Sequence, residues 1–153
     1  MLSLVLFLPL LGAIGLLAIP AKEEKLIKMG ALLVTLATFF CSLPLFMNYD
    51  AAKAASGEHF QFVQSWTWLP SLSIGYKVGV DGISLVLVML VTFLMPIVIV
   101  GSVKTIGHRH RDFYVLLLLL EFFMIGAFVA RDLFLFYLFW ELMVVPMFFI
   151  IGV

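Results

Sequence analysis

Five long apolar runs, separated by short polar stretches, organise this chain. They cover roughly residues 2–20, 29–47, 82–103, 113–130 and 133–153. Each has the length of a bilayer-crossing helix, which needs about 20 apolar residues. Hydrocarbon offers no partner to a backbone N–H or C=O, so each run is predicted to be a helix. Residues 48–81 form the one sizeable loop. In its second half Phe60, Phe62, Gln64, Trp66 and Trp68 alternate with mostly polar neighbours, and a second extended piece, Leu72 to Gly79, follows Pro70-Ser71. That pattern predicts a β-hairpin over residues 60–79; the alternative is an irregular loop with interfacial aromatics. Trp66, Trp68 and Tyr76 suit a membrane–water interface. The fold class expected is an all-α integral membrane protein of five transmembrane helices, with an extracytoplasmic hairpin between the second and third. Residues 1–153 read as one membrane domain, without internal repeats.

Composition agrees. Hydrophobic residues make up 65% of the chain and charged ones 12%, against about 25% charged in an ordinary soluble domain. Formal net charge is zero and no basic block occurs, so nucleic acid is not an expected partner. Cys41 stands alone in an apolar run and cannot form an internal disulfide, zinc or iron–sulfur site. His59, His108 and His110 lie in polar stretches between the runs, where they cannot serve as axial ligands of a membrane haem. No Gly-rich nucleotide loop appears. The chain is therefore expected to bind no metal and no cofactor. The first run lacks a positive leader and a good cleavage site, and reads as a retained span.

Orientation follows from lysine and arginine. Lys22, Lys25, Lys28, Lys104, Arg109 and Arg111 lie on one side, and Lys53, Lys77 and Arg131 on the other. The positive-inside rule then places the N-terminus outside.

The chemistry concentrates in the last two runs. Glu141 is the one charge in residues 133–153, and Glu121 the one charge in residues 113–130. A carboxylate at such depth costs several kcal/mol as an ion, so it is a candidate proton site by default; two neutral carboxyls that only hold helices together are the alternative. The runs are joined by Arg131-Asp132 alone and must form a tight antiparallel hairpin. Glu121 and Glu141 each fall about 14 to 15 Å from that turn at 1.5 Å per residue, near mid-membrane. Their relative rotation is not fixed by spacing. Tyr137 lies one turn before Glu141 on the same face and is a candidate relay, or a structural hydrogen-bonding group. Asp132 is suited to cap the fifth span, and Asp81 the third. Pro146 frees the carbonyl of Leu142 beside Glu141, where a kink or π-type irregularity is expected. No lysine or histidine lies within the spans away from their ends, so a cationic partner for Glu141 is expected from elsewhere in an assembly. The chain stops in an apolar run, and is expected to be either a short subunit or part of a larger membrane chain cut after its fifth helix.

Two segments carry a family resemblance: GVDGISL at residues 79–85 and ARDLFLFYLFWELMVVPMFFIIG at residues 130–152. They resemble the antiporter-like subunit M of respiratory complex I, equivalent to mitochondrial NADH dehydrogenase chain 4, over roughly its first third. The continuation FWELMVVPMFF favours subunit M over the sister subunits. The resemblance implies a proton-translocating, non-redox subunit of an NADH:quinone oxidoreductase in the cytoplasmic inner membrane. It implies NADH, FMN, iron–sulfur clusters and quinone in partner subunits only, and no catalysis by this chain alone. It implies that Glu141 is the family's key glutamate and pairs with a lysine on a later helix. Expected partners are other complex I membrane subunits, especially sister antiporter-like subunits, and the lipid bilayer. The competing readings are a sodium/proton antiporter subunit of the same superfamily and a purely structural membrane scaffold.

Overall fold

The structure is a computed structural model, and it describes residues 1–57, 59–69, 74–104, 106 and 109–152. The expected Pro70-Ser71 turn, Leu72, His108, Val153 and the side chain of Trp68 lie outside the described residues. The element order is α1 Leu2–Ala18, α2 Glu24–Met47, α3 Ala51–Ala55, β1 Gln61–Leu69, β2 Ile74–Val80, α4 Gly82–Ser102, α5 His110–Val129 and α6 Leu133–Ile151.

Among the described residues, α2, α4, α5 and α6 are long and apolar enough to cross a membrane, while α1 is a shorter apolar helix of 17 residues. Two helices begin earlier than the apolar runs. Glu24 and Lys28, an i,i+4 pair at 3.6 Å, carry α2 into polar territory. Likewise α5 starts at His110. Helical backbone bonding does not stop where hydrocarbon does, and long cationic side chains at helix ends reach the interface. The chain pattern gave no sign of α3, a single Ala-rich segment. It forms because Asp50 caps it, accepting from the amides of Ala52 (2.9 Å) and Lys53 (3.3 Å).

The helices alternate in direction. At one end, Ser3 of α1 hydrogen-bonds Gln64 of β1 and lies 2.8 Å from the Tyr76 hydroxyl of β2. At the other end, Glu24 Oε2 lies 3.3 Å from His110 Nε2. The connections carrying Lys22 and Arg109 therefore share an end, opposite the hairpin. The sequence pattern had placed His110 in a polar stretch; it sits instead in the first turn of α5, 8% exposed, where Glu24 partners it.

The hairpin forms as expected. β1 and β2 are antiparallel, with Ser65 opposite Lys77 and Trp66 opposite Tyr76. An irregularity between Gln61 and Gln64 coincides with Phe62, whose φ is +54°. Burial pushes the Tyr76 phenol pKa up, partly offset by the Ser3 hydrogen bond.

α5 is the axis of the bundle. It buries residues along its whole length and packs on α1, α2, α4 and α6. Phe122 links Phe7 of α1 (centroids 5.7 Å apart) to Phe139 of α6 (5.5 Å, edge-on). Gly126 makes the α5–α6 approach close, because a β-carbon there would overlap the Phe139 ring. Buried hydroxyls follow membrane practice. Thr35, Thr38 and Thr92 donate to carbonyls three or four residues back, and Ser42 and Thr92 join α2 to α4 at 3.1 Å. Each is satisfied without water.

Two outcomes follow. Gly126→Ala should force Phe139 aside, an overpacking that costs about 1–3 kcal/mol; thermal denaturation of the detergent-purified protein should show a lowered midpoint, and Gly126→Leu a larger drop. At the start of α4, the Ser84 amide donates to Asp81 Oδ1 (2.7 Å) and the Asp81 amide to Ser84 Oγ (2.9 Å), a closed capping box. The Ser84 amide holds the Asp81 carboxyl below its usual pKa, with partial burial opposing. A depressed folded pKa means that this stabilisation is present above about pH 4 and is lost as pH falls through the folded value. Asp81→Ala should cost about 1 kcal/mol at neutral pH and nothing extra in acid, while Asp81→Asn should keep most of the cap. Melting curves across pH 3–7 would check both.

Candidate functional site

α6 positions the principal candidate. Its first turn is capped by Asp132, whose Oδ1 accepts from the amides of Phe134 (3.0 Å) and Leu135 (3.4 Å). The inner face of α6 is narrow. Leu135, Phe139 and Pro146 are its buried residues. Glu141 stands two residues beyond Phe139, about 200° around the helix, and is exposed on the opposite side. Tyr137, 59% exposed, shares that side one turn earlier, close enough for its phenol and the Glu141 carboxylate to interact. Trp140, just before Glu141, lies against Phe136 with the ring centroids 5.9 Å apart. The helix runs unbroken through Pro146, with no π turn among the described residues. Of the two irregularities expected at Leu142, the π-type one is not formed: a proline removes one N–H, and the remaining ladder keeps the α-helical turn.

Glu121 has a different setting. It is completely buried in α5, and neither carboxylate oxygen has a hydrogen-bond partner among the described residues. Glu121 and Glu141 stand at one level, each eight residues from the turn-side end of its helix. They do not face each other. Phe122, Phe123 and Phe139 fill the α5–α6 contact instead. The bundle thus brings Tyr137 and Glu141 together, leaves Glu121 alone inside, and uses Asp81 and Asp132 as helix caps.

One residue at this site escaped the sequence reading. Lys77 of β2 places its Nζ 3.6 Å from Asp132 Oδ2. The signal was faint: a lysine on the hairpin and an aspartate more than fifty positions later carry no shared motif. Among the described residues no cluster of His, Cys, Asp and Glu is placed to hold a metal ion.

Comparison with known proteins bears on this geometry. Residues 59–127 match the family model described as NADH-ubiquinone oxidoreductase chain 4, amino terminus. The chain is 42% identical over 152 residues to NADH-ubiquinone oxidoreductase chain 4 of Arabidopsis thaliana, covering 99% of this chain and 30% of that protein. It is 42% identical over 158 residues to NADH-quinone oxidoreductase subunit M of Rhodobacter capsulatus, covering 100% and 29%. Against subunit M of Rickettsia typhi it is 38% identical over 157 residues, covering 99% and 31%. The chain therefore spans about 30% of the length of the curated relatives it matches. Nearly all of its residues align to proteins of these two names, so the chain is similar to about 30% of NADH-quinone oxidoreductase subunit M and chain 4.

Proposed function

We propose that this chain is the amino-terminal part of a proton-translocating membrane subunit of an NADH:quinone oxidoreductase, and that Glu141 is its proton-transfer carboxylate. Redox chemistry, with NADH, FMN, iron–sulfur clusters and quinone, belongs to partner subunits, so this chain by itself catalyses nothing. Its partners are other membrane subunits of that complex, sister antiporter-like subunits among them. All five helices α1, α2, α4, α5 and α6 cross the cytoplasmic membrane, as one domain, with the N-terminus outside. For α1, 17 residues lie at the short limit for a span.

One observation carries the reading. Glu141 lies in mid-helix, on the side of α6 that α5 does not cover, with Tyr137 as its polar neighbour. An ionised carboxylate facing lipid at that depth costs roughly 2.5–3.5 kcal/mol. It is tolerated where a cation or a water-lined path meets it, and both are what proton transfer needs. Tyr137 orients the carboxylate or relays its proton. Glu121, enclosed and without such a face, is the secondary group. Proton gain and loss at Glu141 then couples to quinone reduction elsewhere through the cationic partner that meets this face.

In membrane vesicles carrying the intact complex, Glu141→Gln should cut both the NADH-driven pH gradient and NADH oxidation strongly, by about tenfold or more, the scale on which positioned acid–base groups act. Glu121→Gln should cost less, and Glu141→Asp should retain part of the activity. Near-normal gradients in both Gln variants would leave the scaffold reading in place.

Orientation has its own check. Cysteines placed at Lys22 and His108 should resist a membrane-impermeant thiol reagent in sealed cells, while one at Trp66 should react. The reverse pattern would invert the topology.

A further inference from the structure

The α5–α6 turn is held from the side by the hairpin. The Arg131 amide donates to the Lys77 carbonyl at 2.8 Å. Val78 and Ala130 pair as antiparallel strand residues. Lys77 Nζ reaches Asp132 Oδ2 at 3.6 Å, while Oδ1 of the same carboxylate caps α6. The Arg131 stem lies over Gly79, where a β-carbon would come within 2.7 Å of Cδ. Its guanidinium sits 4.3 Å from the Phe60 ring centroid. The strand pairing, the ion pair, the close approach and the cation–π contact thus converge on three residues, 130–132.

Beyond this junction α6 packs chiefly on one neighbour, α5. It has three buried residues, against twelve for α5. The depth and rotation of its first turn are therefore set by this junction and by the Phe139–Gly126 contact. Asp132 is the pivot, since its side chain is 13% exposed and serves both the hairpin and the helix cap. Glu141 lies nine residues beyond it, so a shift or rotation at Asp132 is carried directly to the carboxylate. Misplacement by about 1 Å is enough to cost two orders of magnitude in a positioned reaction.

We propose that Lys77 is a positioning residue for Glu141: paired with Asp132 and backed by the strand contact, it fixes the level and direction at which α6 presents that carboxylate. This rests on the reading of Glu141 as the proton-transfer group. Lys77 touches no reacting atom. It acts through Asp132 and the cap.

The test uses the complete complex in membrane vesicles, with rates expressed per assembled complex from flavin content. Lys77→Met removes the charge. Asp132→Asn keeps a capping side chain but removes the charge that Lys77 meets. Each should lower kcat for NADH-driven quinone reduction by about three- to tenfold, within the range a displacement of under an ångström gives, with KM for NADH and quinone unchanged. The double variant should be no worse than the poorer single one, and Lys77→Arg should recover about half of the rate or more. The pair Val78→Cys and Ala130→Cys, at facing positions of an antiparallel contact, lies within reach of a disulfide. Oxidised in the Lys77→Met background it should restore the rate, and reduction should abolish the rescue. Normal rates in either single variant, losses that multiply in the double, or no rescue by the cross-link would each overturn the proposal. Glu141→Gln in the same vesicles separates the two ideas. A wild-type rate there removes the assignment of Glu141, whereas an impaired Glu141→Gln beside unimpaired Lys77→Met removes the positioning role alone.

Discussion

The three residues between α5 and α6 constrain more of this molecule than any other segment. A connection that short forces two long apolar helices to run antiparallel and in contact. It puts residues equally far from the turn at one depth, and so brings Glu121 and Glu141 level. It also demands that the helices approach closely just beyond the turn, which Gly126 permits by giving its space to the Phe139 ring. Once Phe139 faces inward, helical geometry decides where Glu141 goes: about 200° away, on the uncovered side. The contact that packs α6 is the one that turns its carboxylate outward.

The two carboxylates therefore face opposite problems. Glu121 is buried in a helix that packs on four others, and its carboxylate has no hydrogen-bond partner among the described residues. Glu141 has a tyrosine beside it and an open face. In low dielectric an enclosed charge is stabilised by partners already present, whereas an open one can be met by whatever approaches. A transfer group needs the second condition, and it is on this ground that Glu141 is proposed ahead of Glu121.

Much of this was legible in the residues. Run length gave the helices, because hydrocarbon leaves the backbone no other choice. The hairpin followed from alternation in residues 60–69, and the caps from Asp81 and Asp132, whose short carboxylates sit one residue before an apolar run. Other features were not legible, for physical reasons. α6 is apolar on nearly every side, so its pattern could not tell which way Glu141 points. Helix ends in polar water are set by pairs such as Glu24 with Lys28 in its own helix and with His110 across the bundle, which periodicity does not register. α3 is too short to have a period. The Lys77–Asp132 pair depends on a hairpin folding back over a turn far along the chain, so only tertiary structure brings the two together.

The two ends of the bundle are built differently, and this bears on α6. At the hairpin end, backbone hydrogen bonds and a half-covered ion pair tie β2 to residues 130–132. Such contacts are poorly screened by salt. At the opposite end, the ion pairs involve Glu24 and Arg109, which are both more than half exposed, and contribute little each. α6 is thus anchored at its start by β2 and packed along its length chiefly on α5. Any tilt about that anchor moves Ile151, eighteen residues into the helix beyond Leu133, by more than twice the displacement of Glu141 at eight. A carboxylate placed in the nearer half of a helix pinned at its start keeps its position while the far end adjusts. The hairpin end is therefore the one that fixes where α6 begins.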